Sequence, residues 1–186
     1  MNTATKSTTD AITILKDDHK LVKGLFDQFE KSESKAEKAK LVAKAITELK
    51  IHTTLEEEIF YPIVRKAFKK ALGKAEATEM MDEADEEHHV AKFLIAELET
   101  MKASDDHWEG KFTVLAENIT HHVKEEETEM FVEARKLDLD FKAIGADMLA
   151  RKEELMATGV PTFAEEALIS QGGVADSPAE TAKATA

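Results

Sequence analysis

Six side chains stand where the pattern of the chain asks for apolar ones: His19, His52, Glu56, His88, His122 and Glu126. Four stretches carry apolar residues at alternating steps of three and four, the spacing of one helix face. The first reads Ile12, Leu15, His19, Val22, Phe26, Phe29, and the second Val42, Ala45, Leu49, His52, Glu56, Ile59, Ile63. The third reads Met81, Ala84, His88, Ala91, Ile95, Leu98, and the fourth Phe112, Leu115, Ile119, His122, Glu126, Met130. Every break in these seams is a His or a Glu. Burying four imidazoles and two carboxylates without partners costs several kcal/mol per group. A cation removes that cost, and two divalent ions suit six ligands. Two bridging glutamates with two histidines per ion would leave open positions for water, oxo or a small substrate. The donor atoms narrow the metal. With no Cys in the chain, disulfides, thiolate zinc sites, iron–sulfur clusters and attached c-type haem are excluded. Mixed nitrogen and oxygen ligation fits iron, manganese or zinc, and four imidazoles argue against calcium and magnesium.

An internal repeat selects the same residues. Asp17-Asp18-His19-Lys20-Leu21-Val22-Lys23 lies over Glu86-Glu87-His88-His89-Val90-Ala91-Lys92, and Leu25 and Glu30 fall on Leu94 and Glu99. Likewise His52, Glu56, Glu57 and Arg65 fall on His122, Glu126, Glu127 and Arg135. Two helical hairpins are therefore copies of one unit. His and Glu four residues apart share a helix face. At a rise of ~1.5 Å per residue, the distances of the four histidines from their turns bring them within roughly one or two turns of a common level.

The elements that must position them are helices. Ala, Glu, Lys and Leu are abundant, with only 7 Gly and 3 Pro in 186 residues. Asp10 caps a first helix running to about Ser32. A second spans about 36–71 and is expected to bend near Ile59–Pro62, because proline removes a helical hydrogen bond. After Gly73 a third helix runs to about Ala103. Ser104-Asp105-Asp106 reads as the cap of a fourth, about 106–136. The expected architecture is all-α: an antiparallel up-down four-helix bundle over 10–137, built of two repeated hairpins. A flexible leader, 1–9, precedes it. A C-terminal helix and docking segment, 138–169, follows, with Phe141, Ile144, Met148 and Leu149 on one side of the helix and Pro161, Phe163, Leu168 and Ile169 beyond it. The Gly-, Ser-, Pro- and Ala-rich stretch 170–186 reads as a disordered tail.

A net charge of −13 argues against nucleic acid as a partner. No apolar run approaches the ~20 residues of a membrane span, and Met1 to Thr9 lacks the apolar core of a secretory signal. The expected location is the cytoplasm.

These motifs resemble the hemerythrin-like, or HHE cation-binding, domains. Asp18-His19 comes first, then His52-x3-Glu56-Glu57 running into Phe60-Tyr61-Pro62. Glu87-His88 follows, then His122-x3-Glu126-Glu127 leading to Met130-Phe131. The resemblance covers about residues 10–137. It implies a pair of non-haem iron ions, oxo- or hydroxo-bridged, with His19, His52, His88 and His122 as terminal ligands and Glu56 and Glu126 as bridges. Manganese and zinc stay open. In one respect the chain departs from the oxygen carriers it resembles: they have a fifth histidine four residues after the third-helix His, where this chain has Lys92. Ferritin-like di-iron bundles use Glu-x-x-His with additional lone glutamates in a carboxylate-rich site, whereas this chain has His-x3-Glu twice and lone histidines on the other two helices, a histidine-rich set.

The expected function is binding of O2 or another small diatomic, in sensing, storage or delivery under oxidative or nitrosative stress. One alternative is an enzyme turning over hydrogen peroxide or nitric oxide; the other is a metal-free or zinc-filled structural bundle. His121 and His89 sit one step off the seams; His121 reads as a surface residue, and His89 as either a surface residue or one standing behind a ligand. His107 reads as capping or packing, and Phe60 and Tyr61 as core, with Tyr61 within reach of the metals. Glu57 and Glu127 are candidates for an extra ligand, but a step of five residues points each off the seam.

Overall fold

Asp10 caps the first helix as its position predicts, its carboxylate accepting the Thr13 N–H at 3.2 Å. In this computed structural model, residues 9–71 and 73–160 are described, apart from the side chains of Lys74, Glu76 and Ala77. Helix α1 spans Ala11–Lys31. Ser34 caps α2, Lys35–Leu55. A π-helical turn, Glu56–Phe60, joins α2 to α3, Tyr61–Ala71. Next come α4, Lys74–Thr100, and α5, Trp108–Glu125. A second π turn, Glu126–Met130, leads into the short α6, Phe131–Ala134, and α7 covers Phe141–Thr158. The described residues are helical with no strand, and the fold is a helical bundle with an additional C-terminal helix. The leader, the segment from Pro161 to Ile169 and the tail lie outside the described residues, Thr9 and Val160 excepted.

The bend expected at Pro62 takes the form of the first π turn, and proline is not its cause. The second π turn occupies the repeat-equivalent position, where the counterpart of Pro62 is Val132. In both, the residue ending the turn (Tyr61 or Phe131) donates its N–H to the carbonyl five residues back, at Glu56 or Glu126. One residue is thereby inserted into the helical register. Beyond Glu56 the buried face continues through Phe60, Val64 and Phe68, while Ile59 and Ile63, expected on the seam, are only partly buried.

The cap expected from Ser104 to Asp106 is absent. Asp105 uses its carboxylate on the Lys102 N–H at 2.8 Å, and α5 starts after His107, which is left-handed at φ 66° and offers no capping hydrogen bond.

The core divides into two apolar clusters. One collects Ile12, Leu15, Leu55, Phe60, Phe68 and Met81 with the inner face of α7. The other collects Val22, Phe26, Phe29, Leu49, Ile95 and Phe112. On each long helix the breaks in the seam fall between them, so the polar side chains form a layer across the middle of the bundle. Closure of the first cluster falls to α7, which buries Phe141, Ile144, Met148 and Leu155 against α1 and the second helix. Leu149, expected on that face, is partly buried. A Cβ on Gly145 would lie 2.4 Å from the Thr9 carbonyl oxygen and 2.8 Å from the Ala11 nitrogen. Gly145→Ala is therefore expected to push α7 off the start of α1 and destabilise the fold by about 1–3 kcal/mol, read as a lower urea midpoint. An unchanged midpoint would mean that α7 does not dock this closely.

Candidate metal centre

The structure brings all six singled-out residues together, and none of them is more than 6% exposed. Each helix face delivers one imidazole, and the start of each π turn delivers one carboxylate. Their ligand atoms form two groups that share a member: His19, His52, Glu56 and Glu126, and Glu56, His88 and His122. The Nε2 atoms of His19 and His52 face each other across 3.2 Å, and so do those of His88 and His122. Glu56 Oε2 lies 3.2 Å from His52 Nε2 and 3.3 Å from His88 Nε2. Glu126 Oε2 lies 3.1 Å from His19 Nε2 and 3.6 Å from His122 Nε2.

The outward nitrogens explain why the Nε2 atoms turn inward. Nδ1 of His19, His88 and His122 meets Glu127, Glu57 and Glu87 at 2.9, 3.0 and 2.7 Å. His52 Nδ1 faces Asp18 at 3.8 Å, beyond hydrogen-bond reach. A carboxylate on Nδ1 fixes a proton there and leaves Nε2 as a lone pair, as in metal-ligating histidines. The four carboxylates obey the repeat, Asp18 matching Glu87 and Glu57 matching Glu127. Two of them are held in turn by lysines. Lys152 of α7 donates to Asp18 at 2.5 Å, and Lys92 donates to Glu57 at 2.6 Å. The lysine in the fifth-histidine position thus serves a carboxylate behind His88.

Paired lone pairs at 3.2 Å repel unless something positive lies between them. Both carboxylate oxygens of Glu56 and Oε2 of Glu126 are buried without a hydrogen-bond partner. Orphaned acceptors of this kind are what a divalent cation would satisfy, and the donor set suits iron, manganese or zinc.

In the metal-free protein, protons supply part of that charge. Burial pushes the His52 imidazolium down, but Glu56, Asp18 and Glu126 outweigh it and hold the group up at about 10. Burial likewise opposes the charge on His88, and Glu56 and Glu57 raise it to about 9. Desolvation works against the Glu56 carboxylate as well, yet His52 and His88 keep its pKa well below the usual range. Folded-state values above the ordinary 6.5 mean stability that is complete below that pH and is lost as pH climbs through them. Metal-free protein is therefore expected to weaken between about pH 7 and pH 10, with a falling urea midpoint. Metal binding in the lower part of that range should release protons, seen as a buffer-dependent binding enthalpy. A metal-free midpoint constant across the range would contradict this.

Tyr61 belongs to the site. The π turn rotates it inward, 2% exposed, where its hydroxyl donates to Glu126 Oε1 at 2.9 Å. The same hydroxyl lies 3.4 Å from His88 Nε2 and 3.5 Å from His122 Nε2. Burial and the carboxylates of Glu126 and Glu56 push its pKa well above 10, so it stays a donor. Its ring stacks on His88 with centroids 5.3 Å apart, as the repeat-equivalent Phe131 stacks on His19 at 5.8 Å. The two halves of the centre therefore differ by one hydroxyl. Glu57, Glu87, Glu127 and Asp18 are the other residues to which seam spacing gave no role. His121 and His89 are exposed, as their positions imply.

The hemerythrin HHE cation binding domain model matches residues 10–134. A hemerythrin HHE cation binding domain-containing protein from Mycobacterium kansasii has the same fold, with a TM-score of 0.64 and 23% identity over 81% of this chain and 94% of its own. A DNA nickase from Nostoc sp. (strain PCC 7120 / SAG 25.82 / UTEX 2576) is 25% identical over 122 residues, which are 66% of this chain and 32% of that protein. This chain thus spans about a third of the nickase's length. With a matching model across most of the sequence and the His and Glu residues of its motifs gathered in one buried layer, the chain belongs to the hemerythrin HHE cation binding domain family.

Proposed function

We propose that the protein holds a pair of iron ions and binds O2 or another small diatomic between the two halves of the bundle. His19 and His52 would hold one ion and His88 and His122 the other, with Glu56 and Glu126 shared. The observation that carries this reading is Glu56: fully buried, with both oxygens unpartnered and one of them within 3.3 Å of an Nε2 from each histidine pair. Such a pair of ferrous ions supplies two electrons and open positions for a small ligand. The chain supplies the rest. Phe60, Phe131 and Tyr61 close the layer on the α7 side and exclude water. The Tyr61 hydroxyl, which donates to Glu126 Oε1, lies 3.4 Å from His88 Nε2 and 3.5 Å from His122 Nε2 and so gives that half of the centre a polar group that the His19 and His52 half lacks.

A second reading, turnover of hydrogen peroxide or nitric oxide, draws support from Lys92. With lysine rather than a fifth histidine there, each ion would be held by two histidines, and both would keep open positions. Strand cleavage is not carried over from the Nostoc nickase, since a net charge of −13 argues against a phosphate-bearing partner. Rapid mixing of the reduced, iron-loaded protein with O2 separates the readings. A spectrum that forms on mixing and reverses on removing O2 is expected of the binder. Irreversible oxidation, together with oxygen release from added peroxide, would replace it with the enzyme.

A further inference from the structure

An acidic cleft of about 480 Å³ opens between α4 and the α5–α6 segment, and the centre as described makes no use of it. Glu79, Glu83 and Glu87 line one wall and Glu125, Glu129 and Glu133 the other, with Glu126 and His122 at the floor. Among the described residues lining it there is no Lys or Arg. Carboxylates in a concave wall focus the field and concentrate cations.

Two observations take this beyond a solvated acidic face. The first is at the rim. Glu87, Glu125 and the neighbouring His121 each present a ligand atom, all within 4.8 Å of one another. His121 Nε2 is 3.1 Å from Glu125 Oε1 and 3.6 Å from Glu87 Oε1. The other oxygen of Glu87 accepts the His122 Nδ1–H at 2.7 Å, so one carboxylate faces the rim and the buried centre at once. The second observation is at the floor. Glu126, 1% exposed, lines the cleft, and its Oε2, 3.1 Å from His19 Nε2, has no hydrogen-bond partner, so the same side chain meets the cleft and the buried centre.

We propose that this cleft is the entry path for the metal ions of the buried centre, and that Glu87, His121 and Glu125 form an outer site that captures a hydrated divalent transition-metal ion on its way inward. One nitrogen and two carboxylates suit such an ion better than calcium or magnesium, which favour oxygen alone. The proposal rests on the two-ion reading of the centre, and the experiment separates the two.

Cobalt(II) is the probe, added to metal-free full-length protein and followed by visible absorption in stopped flow and by equilibrium dialysis. His121→Ala combined with Glu125→Gln leaves Glu87 and the six buried ligands in place. Glu117→Gln removes the same kind of charge from an exposed position on α5 outside the cleft. Wild type and Glu117→Gln are expected to take up a weak third ion beyond the buried pair. The double variant should lose that ion, fill the buried pair to the same level, and do so about tenfold more slowly. Equal loading rates in the double variant and wild type would overturn the entry path. If wild type shows no cobalt signal that His52→Ala abolishes, the two-ion reading falls and the proposal with it.

Discussion

Loading the protein with a divalent metal is expected to raise its melting temperature by roughly 10–20 °C. At a hundredfold excess over Kd each ion adds about 2.7 kcal/mol to a state that only the folded chain can offer. Two ions add about 5.4 kcal/mol, and a chain of this size gains about 2–4 °C per kcal/mol. The gain is large because the metal-free layer is poorly satisfied. Glu56 has two buried oxygens with no hydrogen bond, and two pairs of Nε2 atoms face each other. Calorimetry with and without iron(II), manganese(II) or zinc(II), under anaerobic conditions for iron, checks it. A shift of a degree or less with all three would mean that the layer is complete without metal.

Glu56→Ala is expected to weaken binding of both ions by more than about a hundredfold, whereas His19→Ala should spare one of them. Among the described residues Glu56 is the one side chain that belongs to both groups of ligand atoms, so its removal takes a donor from each. It also removes the closest countercharge to His52 and one of the two carboxylates beside His88. Losing one partner of a buried ionic cluster typically costs about 3–5 kcal/mol, more than the loss of a ligand alone. Dialysis against limiting metal resolves the two cases. Loss of a single ion in Glu56→Ala would show that Glu126 alone can hold the pair together.

Much of this centre is legible in the sequence because helix periodicity is strict. A His or Glu on an apolar seam has one place to go, so His19, His52, His88 and His122 with Glu56 and Glu126 emerge as a set. Tyr61 does not, because the π turn inserts a residue just before it. A regular helix extrapolated from Glu56 reaches Ile59 and Ile63, and the chain instead buries Phe60, Tyr61 and Val64. Pro62 marks a bend after the first turn, but the equivalent turn at Glu126 lacks a proline, so no local breaker advertises it. The outer carboxylates stand out in the repeat and in the motifs around each histidine, but seam spacing gives them no place in the centre. Glu57 and Glu127 lie one residue past the seam, yet a glutamate side chain is long enough to reach the Nδ1 of the neighbouring helix. The role of α7 has no counterpart in the repeat. Its Lys152 reaches the carboxylate that faces His52, and Arg151 grips Glu58 beside the first π turn with two hydrogen bonds of 2.7 and 3.0 Å. The position of His107 reflects a general competition: Asp105, the natural cap, is already engaged by the turn before it.

The central claim is that these six side chains hold a pair of metal ions. Elemental analysis of protein expressed with supplemental iron, set beside the same analysis of Glu56→Ala, tests it most directly. Two irons per chain in the wild type, with near-ultraviolet absorption that the variant lacks, is the predicted result. A wild-type chain that retains no metal, or a metal content that Glu56→Ala leaves untouched, would contradict it.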